Sequence, residues 1–260
     1  MKNEKIRENI LTVQNLSAAY EETAVLYGVD LEVRKGEVLC IVGESGSGKS
    51  TLIRTICGDP RIMVTEGSIR YRERVWTALK ARERQKLLGT QIGLIQQNPW
   101  GAFNPIRRID VQFQETFRSH GLAFDKEKLS EIFCILGLKD TEKLLKMRPY
   151  ELSGGMNQRI AIAASFVLSP ELLLCDEITS ALDVTTAMAV TEQLLELKQT
   201  NGTTVVLVTH NLGLAKCIAD RIAIMHQGCM VECGDTDTIL RHPQSDHTRQ
   251  LLRDVPKLER

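Results

Sequence analysis

The chain has 260 residues, enough to bury a substantial core as one large domain or two small ones. Its 33 Lys and Arg balance 33 Asp and Glu without an acidic or basic tail, so charge makes no case for nucleic acid as a partner. No apolar run approaches a membrane span, and the charged stretch Met1 to Asn9 leads into no signal-peptide core; a soluble chain is expected, with any membrane spans supplied by other chains.

Taken in chain order, Leu11-Thr12-Val13, Val29 to Val33 and Ser68 to Tyr71 alternate with period two and predict an antiparallel layer. Val38 to Val42 is a continuous apolar run and reads as a buried strand; Ile92 to Ile95 is another short strand. The charged stretch from Glu73 to Lys86 reads as a solvated face. From Gln97 to about Ser165 the spacing becomes helical, through Val111, Phe113 and Phe117, then Leu129, Ile132, Phe133 and Leu136. Ser153 is placed to N-cap a helix carrying Ile160, Ile162, Ala163, Phe166 and Val167. Leu172 to Cys175 and Thr204 to Thr209 read as strands, Val184 to Lys198 and Leu212 to Ala219 as helices. Ile222 to Met225 and Met230 to Glu232 read as a hairpin turning near Gly228. Strands alternating with helices predict an α/β fold built on a mainly parallel sheet, with the helical block as an inserted subdomain.

The seven cysteines form no paired framework. Cys40 and Cys175 sit in strand candidates as small buried hydrophobes, and Cys229 and Cys233 read as incidental strand thiols rather than a metal site. This usage predicts a reducing compartment.

Gly43-Glu44-Ser45-Gly46-Ser47-Gly48-Lys49-Ser50 reads G-x-x-x-x-G-K-[ST] between the Val38 strand and a helix that continues through Thr51. The glycines let successive backbone N–H groups curl around a phosphate, and the helix adds its positive N-terminal end. Lys49 supplies charge for terminal phosphates, and Ser50 offers a hydroxyl to Mg²⁺. Behind such a loop, the carboxylates that end the Leu172 strand gain a role. Asp176 can hold a water on Mg²⁺, and Glu177 can polarise an attacking water. Leu152-Ser153-Gly154-Gly155-Met156 opens a helix and reads as a second phosphate cradle without a lysine, suited to capping a nucleotide held by another subunit.

With these elements in order, the chain resembles the ATPase subunits of ABC transporters over nearly its whole length. Gly43–Thr51 resembles the Walker A motif, Leu152–Met156 the signature motif and Leu172–Glu177 Walker B. Ser180-Ala181-Leu182-Asp183 resembles the D-loop, His210 the switch histidine and Gln97 the Q-loop glutamine. The resemblance implies a P-loop NTPase core with an antiparallel β layer over residues 1–96 and 170–240, a helical signature subdomain over 97–169 and a C-terminal extension over 241–260. It implies ATP and Mg²⁺ as cofactors, with Tyr20 under the adenine, Gly43 to Thr51 around the phosphates, and Ser50, Gln97 and Asp176 about the metal. Glu177, His210 and Gln97 then carry hydrolysis. Ser153, Gly154, Gly155 and Asp183 serve the nucleotide at the subunit junction. Ile178 departs from the proline that many relatives carry after the catalytic glutamate, and Met156 from the commoner glutamine.

Tyr150 to Arg159 and the tail His242-Pro243, His247 to Leu252 and Val255-Pro256 resemble the peptide/nickel importer branch. Asn98 and Phe103 lean towards nickel or a metal chelate as cargo. The implied partners are transmembrane permease subunits, docking near Trp100 to Pro105, a second identical or related ATPase subunit and an extracytoplasmic binding protein. The implied location is the cytoplasmic face of the membrane. A soluble ABC ATPase that remodels chromosomes or ribosomes is the alternative; it normally carries a long coiled coil or tandem ATPase units, and neither is found here.

Overall fold

The computed structural model describes residues 8–180 and 182–254, the side chains of Pro99, Trp100, Val184 and Asp254 excepted. Ala181, the Trp100 side chain and Val255-Pro256, all named above, lie outside the described residues. Residues 86–203 form one compact unit, and the described residues on either side of that segment form the other.

The chain opens with β1 (Asn9–Tyr20) and β2 (Thr23–Arg34), followed by β3 (Val38–Val42) and α1 (Lys49–Cys57), then β4 (Ile62–Tyr71), β5 (Arg74–Val75) and α2 (Ala81–Leu87). β2, β1, β4 and β5 form an antiparallel sheet in that order. The even spacing read at Val29 to Val33 puts Val29, Leu31 and Val33 on the buried face of β2. β4 begins well before the Ser68 start read from the sequence, because Met63 to Ser68 lacks alternating burial and is drawn into the sheet by pairing with β1, Tyr20 opposite Ile62. Trp76 is fully buried beside Tyr71, ring centroids 6.2 Å apart. Within Glu73 to Lys86, read as a solvated face, Ala81–Leu87 forms α2 and buries no residue, but Trp76 of the same stretch is buried in the core, against that reading.

The second unit contains β6 (Ile92–Ile95), α3 (Ile109–Ser119), α4 (Lys126–Ile135), α5 (Thr141–Lys146), α6 (Gly154–Phe166), β7 (Leu172–Asp176) and α7 (Val184–Asn201). β6 and β7 pair in parallel. Phe113 and Phe133 meet edge to face at 6.0 Å and bind α3 to α4 in a fully buried core. Side chains cap most of these helices: Asp125, Asp140, Ser153 and Asp183 each accept from a backbone N–H of the first turn of α4, α5, α6 and α7.

The chain then returns to the first unit as β8 (Thr204–Thr209), α8 (Leu212–Ile218), β9 (Arg221–His226), β10 (Cys229–Asp235), α9 (Thr236–Arg241) and α10 (Asp246–Asp254). β3 lies between β8 and β9 and is parallel to both. Every residue of β3 and β8 is buried, as expected of strands covered on both faces. β9 and β10 form the expected hairpin, turning at Gln227-Gly228 with both residues at positive φ. The molecule is thus an α/β protein with a parallel layer, an antiparallel layer and a helical block.

Candidate nucleotide-binding and hydrolysis site

The stretch Gly43 to Ser50 runs directly from buried β3 into α1, the strand-loop-helix context expected of a phosphate loop. Gly48 occupies the N-cap of α1 in a left-handed conformation, and no side chain caps that helix. A glycine loop that runs into a helix N-terminus in this way is suited to an anion. Lys49 is buried, and its Nζ donates to the carbonyls of Gly43 at 2.9 Å and Glu44 at 2.6 Å, which holds the ammonium over the curl.

The β9–β10 turn braces this loop. A Cβ on Gly43 would lie 2.1 Å from the Met225 carbonyl oxygen, so only glycine allows β9 to approach so closely. The Gly228 N–H donates to the Ser47 carbonyl at 2.9 Å, and the Gly228 carbonyl accepts from the Tyr27 N–H at 3.0 Å. The hairpin tip is thereby fixed between β2 and the phosphate loop.

Tyr20 ends β1 half-buried, and its hydroxyl accepts from Arg54 Nη1 at 3.3 Å. Exposed His210 follows β8 at the mouth of the parallel layer. Its neighbour Asn211 is tied to Thr209 Oγ1 and caps α8 through Leu214 N–H.

In the second unit, β7 delivers buried Asp176 and half-buried Glu177 at its carboxyl end. Glu177 adopts φ 47°, a left-handed conformation that costs a non-glycine residue about 1–3 kcal/mol and recurs at functional sites. Gln97 Nε2 lies 3.3 Å from Glu177 Oε2 and 3.2 Å from Ser180 Oγ. Exposed Ser153 caps α6, its Oγ accepting from Met156 N–H at 3.3 Å, with Gly154 and Gly155 exposed beside it. Met156 thus contributes its backbone here, so the departure from glutamine removes no cap. Buried Asn157 locks the approach to α6 by donating to Pro149 O at 2.9 Å. Asp183 accepts from Thr186 Oγ1 and N–H, and that hydroxyl in particular holds its carboxyl below the usual range.

Sequence reading named Gln97, Glu177 and Ser153 separately. It assigned no role to Gln158, whose buried amide donates to the Ile178 carbonyl. The only signal for it was its position inside the signature stretch.

Residues 26–180 match the ABC transporter family model. The chain belongs to the ABC transporter family. It is 36% identical over 97% of its length to the oligopeptide transport ATP-binding protein OppD of Lactococcus lactis subsp. cremoris, covering 77% of that protein. It is 35% identical over the same share to the dipeptide transport ATP-binding protein DppD of Bacillus subtilis, covering 78% of it. Among solved structures, one similar chain is a dimeric ATP-binding cassette in a post-hydrolysis state bound to ADP and Pi; its TM-score is 0.75 at 27% identity, over 87% of this chain and 98% of that one. Another is the ATP-binding subunit of an ABC transporter, with a TM-score of 0.76 at 25% identity over 95% of each chain. This ABC protein is an ATPase that uses ATP with Mg²⁺, and its family implies permease partners and dimerisation. Among the described residues, no helix is long and apolar enough to cross a membrane.

Proposed function

We propose that this chain is an ATP-hydrolysing subunit of a peptide importer, peripheral to the cytoplasmic face of the membrane and paired with a second ATPase subunit. The observation that carries this reading is the presence of two unlike helix starts in one chain: α1, lysine-bearing and without a side-chain cap, and α6, capped by Ser153 and braced by buried Asn157. A single nucleotide needs only one of each, so two subunits facing each other complete two sites.

Bound ATP·Mg²⁺ supplies the scissile phosphoanhydride and the charge that polarises it. Within this chain, Gly43 to Thr51 hold the phosphates through backbone N–H groups and the Lys49 ammonium, and Tyr20 offers its ring to the base. Ser50, Gln97 and Asp176 supply oxygen ligands, direct or through water, suited to a hard cation. Glu177 accepts a proton from the attacking water, held in position by Gln97, and His210 hydrogen-bonds the terminal phosphate. Ser153, Gly154 and Gly155 close over the nucleotide of the neighbouring subunit, with Asp183 at the junction. Loss of the bridging phosphate separates the subunits, and the segment after Gln97 passes that motion to the permease. An extracytoplasmic binding protein delivers cargo.

Asn98 and Phe103 lean towards nickel, but both transport proteins described above carry peptide names, and peptide is the better supported cargo. Their character as transport proteins also disfavours a soluble remodeller. The test is reconstitution of the chain with its co-purifying permease in vesicles. ATPase activity should rise several-fold with a peptide-loaded binding protein. Stimulation by a nickel chelate instead would reassign the cargo, and failure to co-purify with any membrane protein would overturn the importer reading.

A further inference from the structure

The signature helix holds the turn that carries Glu177. α6 starts at its Ser153 cap, and less than two turns along it Gln158 is buried, its Nε2 donating to the carbonyl of Ile178. Ile178 is itself buried and directly follows Glu177, whose φ of 47° is a conformation that surrounding contacts must enforce. Gln97 grips the same turn at Glu177 and Ser180, and Ser180 N–H closes it on the Glu177 carbonyl at 3.1 Å. Two amides thus fix one short turn, one of them from the helix whose first residues face a different nucleotide.

We propose that Gln158 is a positioning residue that couples engagement of this chain's signature helix to the orientation of its own Glu177, so that closure at one nucleotide site sets the carboxylate of the other. The proposal rests on the two-subunit reading above. A helix of 13 residues moves as a rigid body, so a shift at Ser153 reaches Gln158 undiminished. Through the buried amide-carbonyl bond, the shift reaches the peptide group after Glu177. Without the donor, a buried carbonyl loses this partner and the strained turn loses one of the two side-chain amides that grip it.

The test compares wild type with Gln158→Leu in the assembled ATPase pair. The variant should lose about tenfold in kcat, while ATP affinity by fluorescent-nucleotide titration stays within about twofold. Amide exchange at Ile178 to Ser180 should be faster in the nucleotide-free variant. A non-hydrolysable ATP analogue should protect those amides in wild type but not in the variant. Should the leucine variant misfold, Gln158→Glu has the same reach but sets a carboxylate against the carbonyl, and it must show the same kcat and exchange pattern. Equal exchange protection in wild type and variant, or unchanged kcat, overturns the proposal. The underlying reading has its own control: ATP must drive association in a Glu177→Gln background with Gln158 intact, and failure there refutes the paired-site reading and not the tether.

Discussion

Gln97 and Glu177 lie 80 positions apart in sequence, yet the amide of one points its Nε2 at Oε2 of the other, 3.3 Å away. A carboxylate oriented by an amide donor keeps its other oxygen directed and is held in one rotamer. If that carboxylate takes the proton of the attacking water, Glu177→Gln should cut turnover by about 10²–10⁴-fold with ATP binding intact. Gln97→Ala, which leaves the carboxylate but removes this donor, should cost less in kcat than Glu177→Gln. Steady-state kinetics with parallel nucleotide titrations decide this. A Glu177→Gln protein that turns over normally removes Glu177 from the chemistry.

The contact between Gly228 and Ser47 gives a second expectation. Gly228 has φ 80°, and an added Cβ would lie 2.2 Å from the Val25 carbonyl oxygen. Gly228→Ala must therefore push the hairpin tip off β2, taking its N–H from the Ser47 carbonyl. Stability should fall by about 1–3 kcal/mol. ATP affinity should fall as well, since the loop loses its brace. Urea denaturation and nucleotide titration report the two effects separately. Undiminished affinity in a destabilised variant would confine the turn to a structural role.

The parts legible in the sequence are those whose signal is local. Gly43 to Ser50 follows an all-apolar strand, and Asp176-Glu177 ends another, so strand, loop and carboxylates could be placed from neighbours alone. The start of β4 was not legible, since Met63 to Ser68 has no alternation and its strand character comes from pairing with β1. Nor was α10, because its sequence Asp246 to Asp254 is dominated by polar residues. The grip of Gln97 and Gln158 on the Glu177 turn is a tertiary fact. Gln158 alone reads as an ordinary polar residue and Gln97 gains a role only through the family resemblance, and only the fold brings both to one loop.

Arg221 and Glu37 tie β9 to the start of β3 from inside the first unit. Arg221 Nη1 lies 3.2 Å from Glu37 Oε1 and also donates to the Glu32 carbonyl at 2.9 Å. Glu37 is almost wholly buried, which pushes its carboxyl up, while the Arg34 N–H and the Arg221 guanidinium oppose that push. Arg221→Met leaves a buried carboxylate without its cation and should destabilise the protein by about 3–5 kcal/mol. Adding Glu37→Gln should recover part of the loss. The cycle is read by urea denaturation of the three variants, and a double variant no better than Arg221→Met would mean that the guanidinium acts through packing and its Glu32 bond.

His247 of α10 stacks on His226 at the end of β9, ring centroids 3.9 Å apart, and its Nε2 is buried without a hydrogen-bond partner among the described residues. Burial holds the His247 imidazole below its ordinary range, His226 adds to this, and Glu44 of the phosphate loop opposes it. On the same elements, Asp246 and Arg249 pair with each other on α10, and the Glu232 carboxylate of β10 accepts from Gln244 and Ser245 N–H. Because the folded-state pKa is depressed, both states are neutral well above pH ~6.5 and His247 adds no pH dependence there. As pH falls through ~6.5 the unfolded chain takes up the proton first, so stability drops until the folded protein also binds it. His247→Phe keeps a flat ring against His226 but cannot titrate, so its stability should decline less than wild type across that window. Denaturant midpoints measured from pH 8 to pH 5 give the comparison, and parallel declines in the two proteins would show that the pair does not sense protons.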